Sequence, residues 1–393
     1  MHVAYVCADA GVPVFGSKGC SIHVQEIVRA FLRRGDSVEI FAARLGGRPP
    51  ADLSNCIVHE FPLAKHLTTA NRESAQHSLA RTIAQHIVFS QFDLIYERYS
   101  LWSDDTQKHA ADFGVHSVLE VNAPLIDEQQ LHRELHNRSG AEQCAVNAFR
   151  HAGRIVAVSA EVAEYVRTFF PDQTGRHLTT VQVVNNGVDV DRFRPSGHVH
   201  DRSGKQSHSC LTIGFVGSLK PWHGVESLIE AFQMMADVFP DTQLKIIGDG
   251  PMRDTLESSL LDSSIAHRIH FHGAVPAEEM PTHLTSLDIA VAPYLKNDGF
   301  YFSPLKVYEY MACGLPVAAS ATGQLNELIQ NGENGLLYEA GNVSELRQAL
   351  TRLAEDRQLR KLLGAAARAT VVHHHSWQQT LERILEPAVC ETT

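Results

Sequence analysis

The chain has 393 residues, 44% of them hydrophobic and 20% charged, so it is long enough for two hydrophobic cores and too apolar for a mainly disordered protein. The formal net charge is −11, from 34 basic and 45 acidic residues, which disfavours a nucleic-acid partner because such proteins need a basic surface. No apolar run approaches the roughly 20 residues of a transmembrane helix.

The cysteines and the first residues of the chain indicate a reducing compartment. The seven cysteines form no CxxC pair and no even-numbered disulfide framework. The chain opens on a strand pattern, with no basic and apolar leader before it. We therefore expect a soluble, cytoplasmic protein without a transmembrane segment.

Strand-like apolar runs alternate with helical patterns in the first half of the chain. Between the first two runs, residues 22–35 place apolar side chains on one helical face and end at Gly35, a residue typical of helix ends. Repeated alternation predicts a parallel sheet with helices on both faces. The strands predicted here are HVAYVC (2–7), SVEIFAA (37–43), CIVHEF (56–61), DLIYER (93–98), HSVLEV (116–121), RIVAVS (154–159) and VQVVNN (181–186).

A second block follows residues 195–210, which are rich in Gly, Ser, His and charge and have the composition of a linker. The sequence thus predicts an α/β protein of two doubly wound, Rossmann-like domains whose strand ends face a central cleft. We assign residues 1–195 to the first domain, 211–376 to the second, and 377–393 to a final helix that packs back toward the first. The strands predicted in this block are LTIGFVG (211–217), QLKIIG (243–248), RIHFHG (268–273), LDIAVAP (287–293) and PVAAS (316–320).

A glycine-rich loop, residues 11–19, follows the first predicted strand. Gly11 and Gly16 have the spacing of a phosphate-binding Walker A loop, but Ser17 stands where that loop needs a lysine. We expect a flexible loop whose amides near Gly16 and Gly19 approach a phosphate or a sugar, with a plain tight turn as the alternative.

Four loops rich in glycine or proline accompany the strands of the second block. Each alone is compatible with a plain turn, but together they would line one crevice with free backbone amides, which suits a diphosphate. The loops are FVGSLKPWHG (215–224), KIIGDGP (245–251), FHGAVP (271–276) and SPLKVYEYMACGLPVAAS (303–320).

These loops, together with NNGVD (185–189), resemble the donor-side signatures of the retaining glycosyltransferases of family 4, which have the GT-B fold. The resemblance covers nearly the whole chain, with the motifs in the family's order and spacing. It implies two Rossmann-like domains facing a cleft. It also implies a hexosyltransferase that moves a sugar from a nucleotide-sugar donor to an acceptor hydroxyl. We expect no metal ion and no other cofactor, because no acidic DxD loop stands at a strand end and helix N-termini with Lys220 and His223 can meet the charge of the diphosphate.

The resemblance also implies which residues bind the nucleotide-sugar donor. Glu309 would bind the ribose hydroxyls, and backbone amides near Ser303 and Leu305 would face the phosphates. The remaining donor-side residues implied by the motifs are Gly16, Gly19, Gly217, Ser218, Gly248, Gly250, Val275 and Lys306.

The basic pair that the family places on the diphosphate is altered in this chain. Ser218 and His223 occupy the two positions where the family has arginine and lysine. We therefore assign the catalytic charge to Lys220, with His223 as a second donor to the leaving diphosphate.

The sugar and acceptor side also departs from the family pattern. Tyr301 stands where the family has a second glutamate, and Asn122 stands where it often has a catalytic histidine. We assign these two residues and Glu97, at the end of a predicted strand, to this side. His132 and His136 have helical i, i+4 spacing but lack the glutamate of an HExxH motif, so no metal site is expected.

Two other functions stay open at this point. A sugar-nucleotide 2-epimerase shares the two-domain architecture, and a protein without catalysis could still bind a sugar nucleotide. For a transferase, we favour a UDP-sugar as donor. We also expect a soluble acceptor, because residues 1–190 show no dense basic cluster that would attract an anionic membrane.

Overall fold

The computed structural model describes residues 1–170, 181–195, 210–296, 301 and 303–386. Most of the predicted linker, residues 196–209, lies outside the described residues, as does the end of the predicted final helix, residues 387–393. No helix among the described residues is both long enough and apolar enough to cross a bilayer.

The chain folds as two compact units, and neither unit is one continuous stretch of sequence. The first consists of Met1–Asn186, Tyr301–Ser303 and Trp377–Thr393. The second consists of Gly187–Phe300 and Pro304–Ser376.

The first unit is built on seven parallel strands. They are β1 (His2–Cys7), β2 (Ser37–Ala42), β3 (Ile57–Glu60), β4 (Leu94–Arg98), β5 (His116–Val121), β6 (Ile155–Ala157) and β7 (Val181–Val183). Their order in the sheet is β3-β2-β1-β4-β5-β6-β7. Helices cover both faces, so five of the six residues of β1 are fully buried, which is why the strand is a continuous apolar run.

The second unit is built on six parallel strands. They are β8 (Leu211–Val216), β9 (Thr242–Ile247), β10 (Ile269–Gly273), β11 (Ile289–Ala292), β12 (Val317–Ala321) and β13 (Leu336–Glu339). Their order is β10-β9-β8-β11-β12-β13, which reverses direction beside β8 as in a doubly wound sheet.

The helices join consecutive strands or cover the sheets. They are α1 (Gly19–Arg33), α2 (Thr69–His86), α3 (Asp105–Asp112), α4 (Leu125–His132), α5 (Arg138–His151), α6 (Ala160–Thr168), α7 (Val225–Ala236), α8 (Arg253–Ser258), α9 (Met280–Thr285), α10 (Leu305–Ala312), α11 (Leu325–Leu328), α12 (Val343–Glu355), α13 (Arg357–His374) and α14 (Trp377–Leu385).

Helix α14 belongs to the first unit, where it packs on α1. The Gln378 side-chain amide donates to the Ala30 carbonyl (3.1 Å), and Arg154 donates to the Ile384 carbonyl. The Trp377 ring meets the His23 ring edge-on, with 5.2 Å between the centroids.

The two doubly wound α/β units confirm the predicted fold class. Every strand predicted from the sequence forms, with ends that differ by up to three residues. The sequence did not predict β13, because LLYE is only four residues long and is set among turns.

Candidate functional site

Loops of the second unit meet at the carboxyl ends of β8, β9 and β10. The Gly217 amide donates to the Ile247 carbonyl (2.9 Å), which joins the first loop to the end of β9. The Gly248 amide donates to the Gly273 carbonyl (2.8 Å), which joins the second loop to the end of β10. Three of the predicted donor loops therefore form one backbone-lined surface.

Glycine is required where these loops touch. A Cβ atom at Gly248 would lie 2.0 Å from the carbonyl oxygen of Gly217, and the φ of Gly248 is 135°. A Cβ atom at Gly250 would lie 2.6 Å from the carbonyl oxygen of Leu219. A larger residue at either position would separate the loops, so these glycines keep the surface continuous.

The ammonium group of Lys306 lies against this surface. Helix α10 begins at Leu305, which places Lys306 in its first turn. Its Nζ atom lies 4.4 Å from the ring centroid of Phe215 and 4.9 Å from that of Tyr294, within cation–π range. A Cβ atom at Gly217 would lie 2.6 Å from Nζ, so the absence of a side chain at Gly217 makes room for the ammonium.

Lys306 Nζ is buried and makes no hydrogen bond to the residues that the structure describes. Burial lowers its pKa from 10.5 to about 7, although the Glu309 carboxylate opposes the shift. A buried ammonium that lacks an acceptor is unfavourable. An anion bound at these loops would supply both the charge and the acceptor that the group lacks.

Lys220 has a different environment. Its Nζ atom lies 5.6 Å from the ring centroid of Trp222, and its side chain is half-buried. The atoms nearest to a Cβ at Gly217 belong to Lys306 and Phe215. The role of Lys220 as the catalytic charge stays a prediction, and the exposed Ser218 adds no charge to the loop.

His223 is held as a neutral ring. Burial lowers its pKa to about 3, with Lys306 and Lys220 contributing in the same direction. Its Nδ1 atom is bonded to the Ser218 carbonyl, which can only accept, so Nδ1 carries the proton and Nε2 a lone pair. To act as a second donor to a phosphate, as predicted, His223 must take up a proton at Nε2.

The remaining donor-side residues of the second unit lie at its strand and helix ends. Val275 follows β10, Leu305 opens α10, and Glu309 lies one turn after Leu305 on the same helix. The first amides of a helix have no partner within it, so the start of α10 can donate to an anion.

The pH dependence of donor binding should report Lys306. A diphosphate binds the charged amine, so above pH 7 binding requires uptake of a proton and the apparent Kd should rise by up to tenfold per pH unit. Isothermal titration with a nucleotide sugar at pH 8, in buffers of different ionisation enthalpy, should show close to one proton taken up. Lys306→Met should abolish this uptake, and Lys220→Met should retain it.

Tyr301 and Ser303 pack in the first unit. The Tyr301 hydroxyl donates to the Glu128 carboxylate on α4, and the ring lies against the apolar core around β5 and α5. Ser303 Oγ accepts from the Asn186 amide (3.2 Å), and the Ser303 carbonyl accepts from Asn186 Nδ2 (3.1 Å). Tyr301, which replaces the family's glutamate, is therefore already bonded to a carboxylate.

The glycine loop of the first unit is held in place by the helix that follows it. Gln25 on α1 donates to the carbonyls of Val14 (3.0 Å) and Gly16 (2.9 Å), and α1 itself begins at Gly19. One buried side chain thus joins two carbonyls of the loop to α1, and the approach of the loop amides to a phosphate or a sugar stays a prediction.

Glu97 faces the interior of the first unit, which corrects its predicted position at a ligand-facing edge. Its carboxylate is fully buried and accepts hydrogen bonds from Ser103 Oγ (2.5 Å) and Gln107 Nε2 (2.9 Å). Burial raises its pKa to about 7, while the two hydrogen bonds oppose the shift. Glu97 thus anchors α3 to the sheet.

A polar cluster lies where β4 and β5 of the first unit end. His23 Nε2 donates to Glu120 Oε1 (3.2 Å), and Arg98 Nη1 donates to His23 Nδ1 (3.4 Å). Burial alone would raise the pKa of Glu120, but His23 and Arg98 outweigh it and hold that pKa below its ordinary value. Asn122 Nδ2 lies 3.5 Å from His23 Nε2, so the predicted residue Asn122 belongs to this cluster.

His23 and Glu120 were not predicted from the sequence. A signal was present, because Arg98 and Glu120 are charged residues at the ends of otherwise apolar strands. In a parallel sheet such residues meet at the edge where ligands bind.

Two family models match the chain. The model for glycosyltransferase family 4 matches residues 17–192, and the model for glycosyl transferases group 1 matches residues 210–356. The chain is 27% identical over 287 residues to a GDP-mannose-dependent α-(1-6)-phosphatidylinositol monomannoside mannosyltransferase of Mycolicibacterium smegmatis. That alignment covers 70% of this chain and 74% of the relative. It is also 27% identical over 400 residues to a D-inositol 3-phosphate glycosyltransferase of Corynebacterium jeikeium, covering 93% and 90%.

Solved structures share the fold along almost the whole chain. A sucrose-phosphate synthase from Thermosynechococcus elongatus superposes with a TM-score of 0.73 at 17% identity, covering 98% of this chain and 97% of that one. HepE from Anabaena in complex with UDP superposes with a TM-score of 0.72 at 19% identity, covering 98% of each. These similarities establish the GT-B fold.

Proposed function

We propose that this chain, which belongs to glycosyltransferase family 4 and uses a nucleotide-sugar donor, transfers a hexosyl group with retention of the anomeric configuration and without a metal ion on the diphosphate. The observation that carries the proposal is the buried Lys306 ammonium beside Gly217, at loops lined by backbone amides. Family membership favours this function over an epimerase or a protein that only binds a sugar nucleotide.

Charge stabilisation is the main task of such a site. As the sugar departs, negative charge grows on the diphosphate, and fixed positive groups that already point at it lower the barrier. Lys306 supplies the buried charge, Lys220 a second charge from the loop, and the start of α10 its free amides. His223 adds a third donor only at pH values well below 8, where the bound anion can favour protonation of its ring.

The bond changes need no protein nucleophile. The acceptor oxygen forms a bond to the anomeric carbon on the face from which the phosphate oxygen leaves. The carbon–oxygen bond to the diphosphate breaks, and the acceptor's proton passes to the leaving phosphate. Both bonds are on one face, so the configuration is retained, and exclusion of water prevents hydrolysis of the donor.

Recognition of the acceptor is assigned to the polar cluster of His23, Arg98, Glu120 and Asn122. One end of the Asn122 amide is near His23 Nε2 and the other is buried and makes no hydrogen bond to the described residues, so the amide can bond a substrate hydroxyl. The two curated relatives carry inositol-containing acceptors in their names. A polyhydroxylated ring is therefore the acceptor class to test first, and the soluble acceptor expected from the sequence is tested beside a lipid-linked one.

The donor nucleotide is best identified by binding. We keep a UDP-sugar as the favoured donor, and the mannosyltransferase relative makes GDP-mannose the principal competitor. Thermal denaturation with UDP-, GDP- and ADP-sugars will separate them, because a ligand that binds only the native state raises Tm.

The reaction itself is tested with the donor so identified and a panel of soluble polyols. Proton NMR of the product should show the anomeric configuration of the donor, and turnover should be unchanged by EDTA. An inverted product would contradict the retaining mechanism. Loss of turnover in EDTA that Mg²⁺ or Mn²⁺ restores would contradict metal independence.

Glu309→Gln should weaken donor binding while leaving the fold intact. The change keeps the shape of the side chain but replaces charge-assisted hydrogen bonds to the ribose, which contribute about 1.5–3 kcal/mol. The Kd of the nucleotide sugar, measured by calorimetry, should rise on the order of 10- to 100-fold.

The matched control for this experiment is Glu327→Gln, which changes an exposed carboxylate on α11 of the same unit. It should leave the Kd unchanged. Wild-type affinity in Glu309→Gln would show that this carboxylate does not bind the ribose.

A further inference from the structure

Three side chains of the first unit that do not belong to the polar cluster of His23 converge on one point. They are His77 on α2, Asp104 directly before α3, and Cys144 on α5, and their ligand atoms all lie within 4.8 Å of one another. His77 Nε2 is 3.4 Å from Asp104 Oδ1 and 3.9 Å from Cys144 Sγ.

Two of these separations are close to the edges of a tetrahedral metal site. Zinc binds nitrogen and oxygen at about 2.0–2.2 Å and thiolate sulfur at about 2.3 Å, which puts neighbouring ligand atoms about 3.3–3.7 Å apart. The separations of 3.4 and 3.9 Å are close to this range, and the third, between Asp104 and Cys144, is at most 4.8 Å, so a cation would need to draw the ligand atoms together.

The alternative of a Cys–His–Asp nucleophile does not fit the arrangement. In such a triad the thiol and the carboxylate bond to opposite nitrogens of the imidazole ring. Here Cys144 and Asp104 both approach the same nitrogen of His77, as ligands of a shared cation do.

We propose that His77, Asp104 and Cys144 bind one thiophilic divalent cation, with zinc the best match, and that this cation ties α2, the start of α3 and α5 together. A nitrogen, an oxygen and a sulfur ligand select zinc over magnesium or calcium, which prefer oxygen alone. The His77 side chain is 37% exposed, which leaves an entry path and a fourth position for water. The site is structural and takes no part in glycosyl transfer.

A supporting hydrogen bond orients one of the ligands. Asn147, one turn after Cys144 on α5, donates from Nδ2 to Asp104 Oδ2 (2.9 Å), which leaves Oδ1 directed at His77. Such partners of metal ligands affect affinity by about 10- to 100-fold. Asn147→Ala should therefore weaken the cation without abolishing its binding.

The test uses the full-length protein without a histidine tag, stripped of metal by a chelator. Titration with Co²⁺ should give one equivalent of binding, a sulfur-to-cobalt charge-transfer band in the near ultraviolet, and a visible spectrum of tetrahedral cobalt. One equivalent of Zn²⁺ should displace the cobalt and raise Tm. Binding should release about one proton from the thiol.

Matched variants assign the ligands. Cys144→Ser should remove the charge-transfer band and weaken binding more than 100-fold, whereas Cys56→Ser, which changes another cysteine of the same unit, should retain both. If Cys144→Ser does not fold, His77→Asn, at a partly exposed position, supplies the same comparison. Cobalt held by the surface group His2, Glu39 and His59 would show no sulfur band.

A band that survives in Cys144→Ser would overturn the proposal. So would substoichiometric binding, or binding to wild-type protein without a sulfur band. None of these outcomes bears on the proposed transferase reaction, which is measured separately with the nucleotide sugar.

Discussion

Lys306→Met should lower kcat/KM on the order of 100- to 1,000-fold and, at the same time, make the protein more stable at pH 6. The loss of activity follows because Lys306 is the buried charge at the donor loops, and one preorganised group that meets transition-state charge has an effect of this size. Methionine fills the same volume and keeps the contacts with Phe215 and Tyr294.

The gain in stability follows from the direction of the pKa shift. The pKa of Lys306 is lowered to about 7 in the folded protein and has its ordinary value of 10.5 in the unfolded chain. Between these two values the unfolded chain binds more protons, so the free energy of unfolding rises with pH by up to about 1.4 kcal/mol per unit. Below pH 7 the full cost of the buried charge is present, and methionine removes it. Chemical denaturation of wild type and Lys306→Met at pH 6 and pH 10 measures the difference, which should be largest at pH 6 and much smaller at pH 10, since it disappears only above pH 10.5.

Lys220→Met is the control for this prediction. It removes a partly exposed charge from the same loop system and should reduce kcat/KM by less than Lys306→Met, with no gain in stability. The opposite order of activities would return the catalytic charge to Lys220, as the sequence alone suggested. A Lys306→Met protein that is both active and unchanged in stability would remove Lys306 from the site altogether.

Gly224→Ala should destabilise the second unit by about 2–5 kcal/mol and abolish donor binding. Gly224 immediately precedes α7 with φ of 64°, a left-handed conformation that costs other residues about 1–2 kcal/mol. A Cβ atom there would also lie 1.7 Å from the carbonyl oxygen of Pro293, and relief of such a contact costs about 1–3 kcal/mol more. Any backbone shift would move the loop that carries His223 and Lys220.

Gly341→Ala separates the cost of the left-handed backbone from the cost of the steric contact. Gly341 has a similar φ of 81°, but a Cβ atom there would meet nothing within 4 Å. This variant should lower the free energy of unfolding only by the cost of the left-handed backbone, and it should keep its affinity for the nucleotide sugar. Equal losses of stability in the two variants would show that the contact with Pro293 relaxes at no cost.

The two parallel sheets could be predicted from the sequence, because parallel strands that are buried on both faces are continuous apolar runs, as in β1 and β8. The run at β13 was too short to distinguish from a turn. The linker and the domain limits were placed by composition alone. Composition could not show that Tyr301–Ser303, far along the chain, would pack with the first unit.

The donor loops were predictable because each follows a strand and contains glycine. The assignment of the charge was harder. Lys220 lies in the first loop by sequence, whereas Lys306 reaches Gly217 only through the packing of α10 on the sheet. The group of His77, Asp104 and Cys144 has no sequence signature at all, because its members come from three separate segments.

The position of α14 has a consequence for the synthesis of the protein. Residues 377–385 cover part of α1, yet they leave the ribosome after the entire second unit has been made. At about 5–20 residues per second, the first unit waits roughly 10–40 s after Asn186 is added before its last helix is available. During that interval the backbone of Ala30 and the ring of His23 lack their partners on α14. The N-terminal unit therefore emerges first from the ribosome but is completed last.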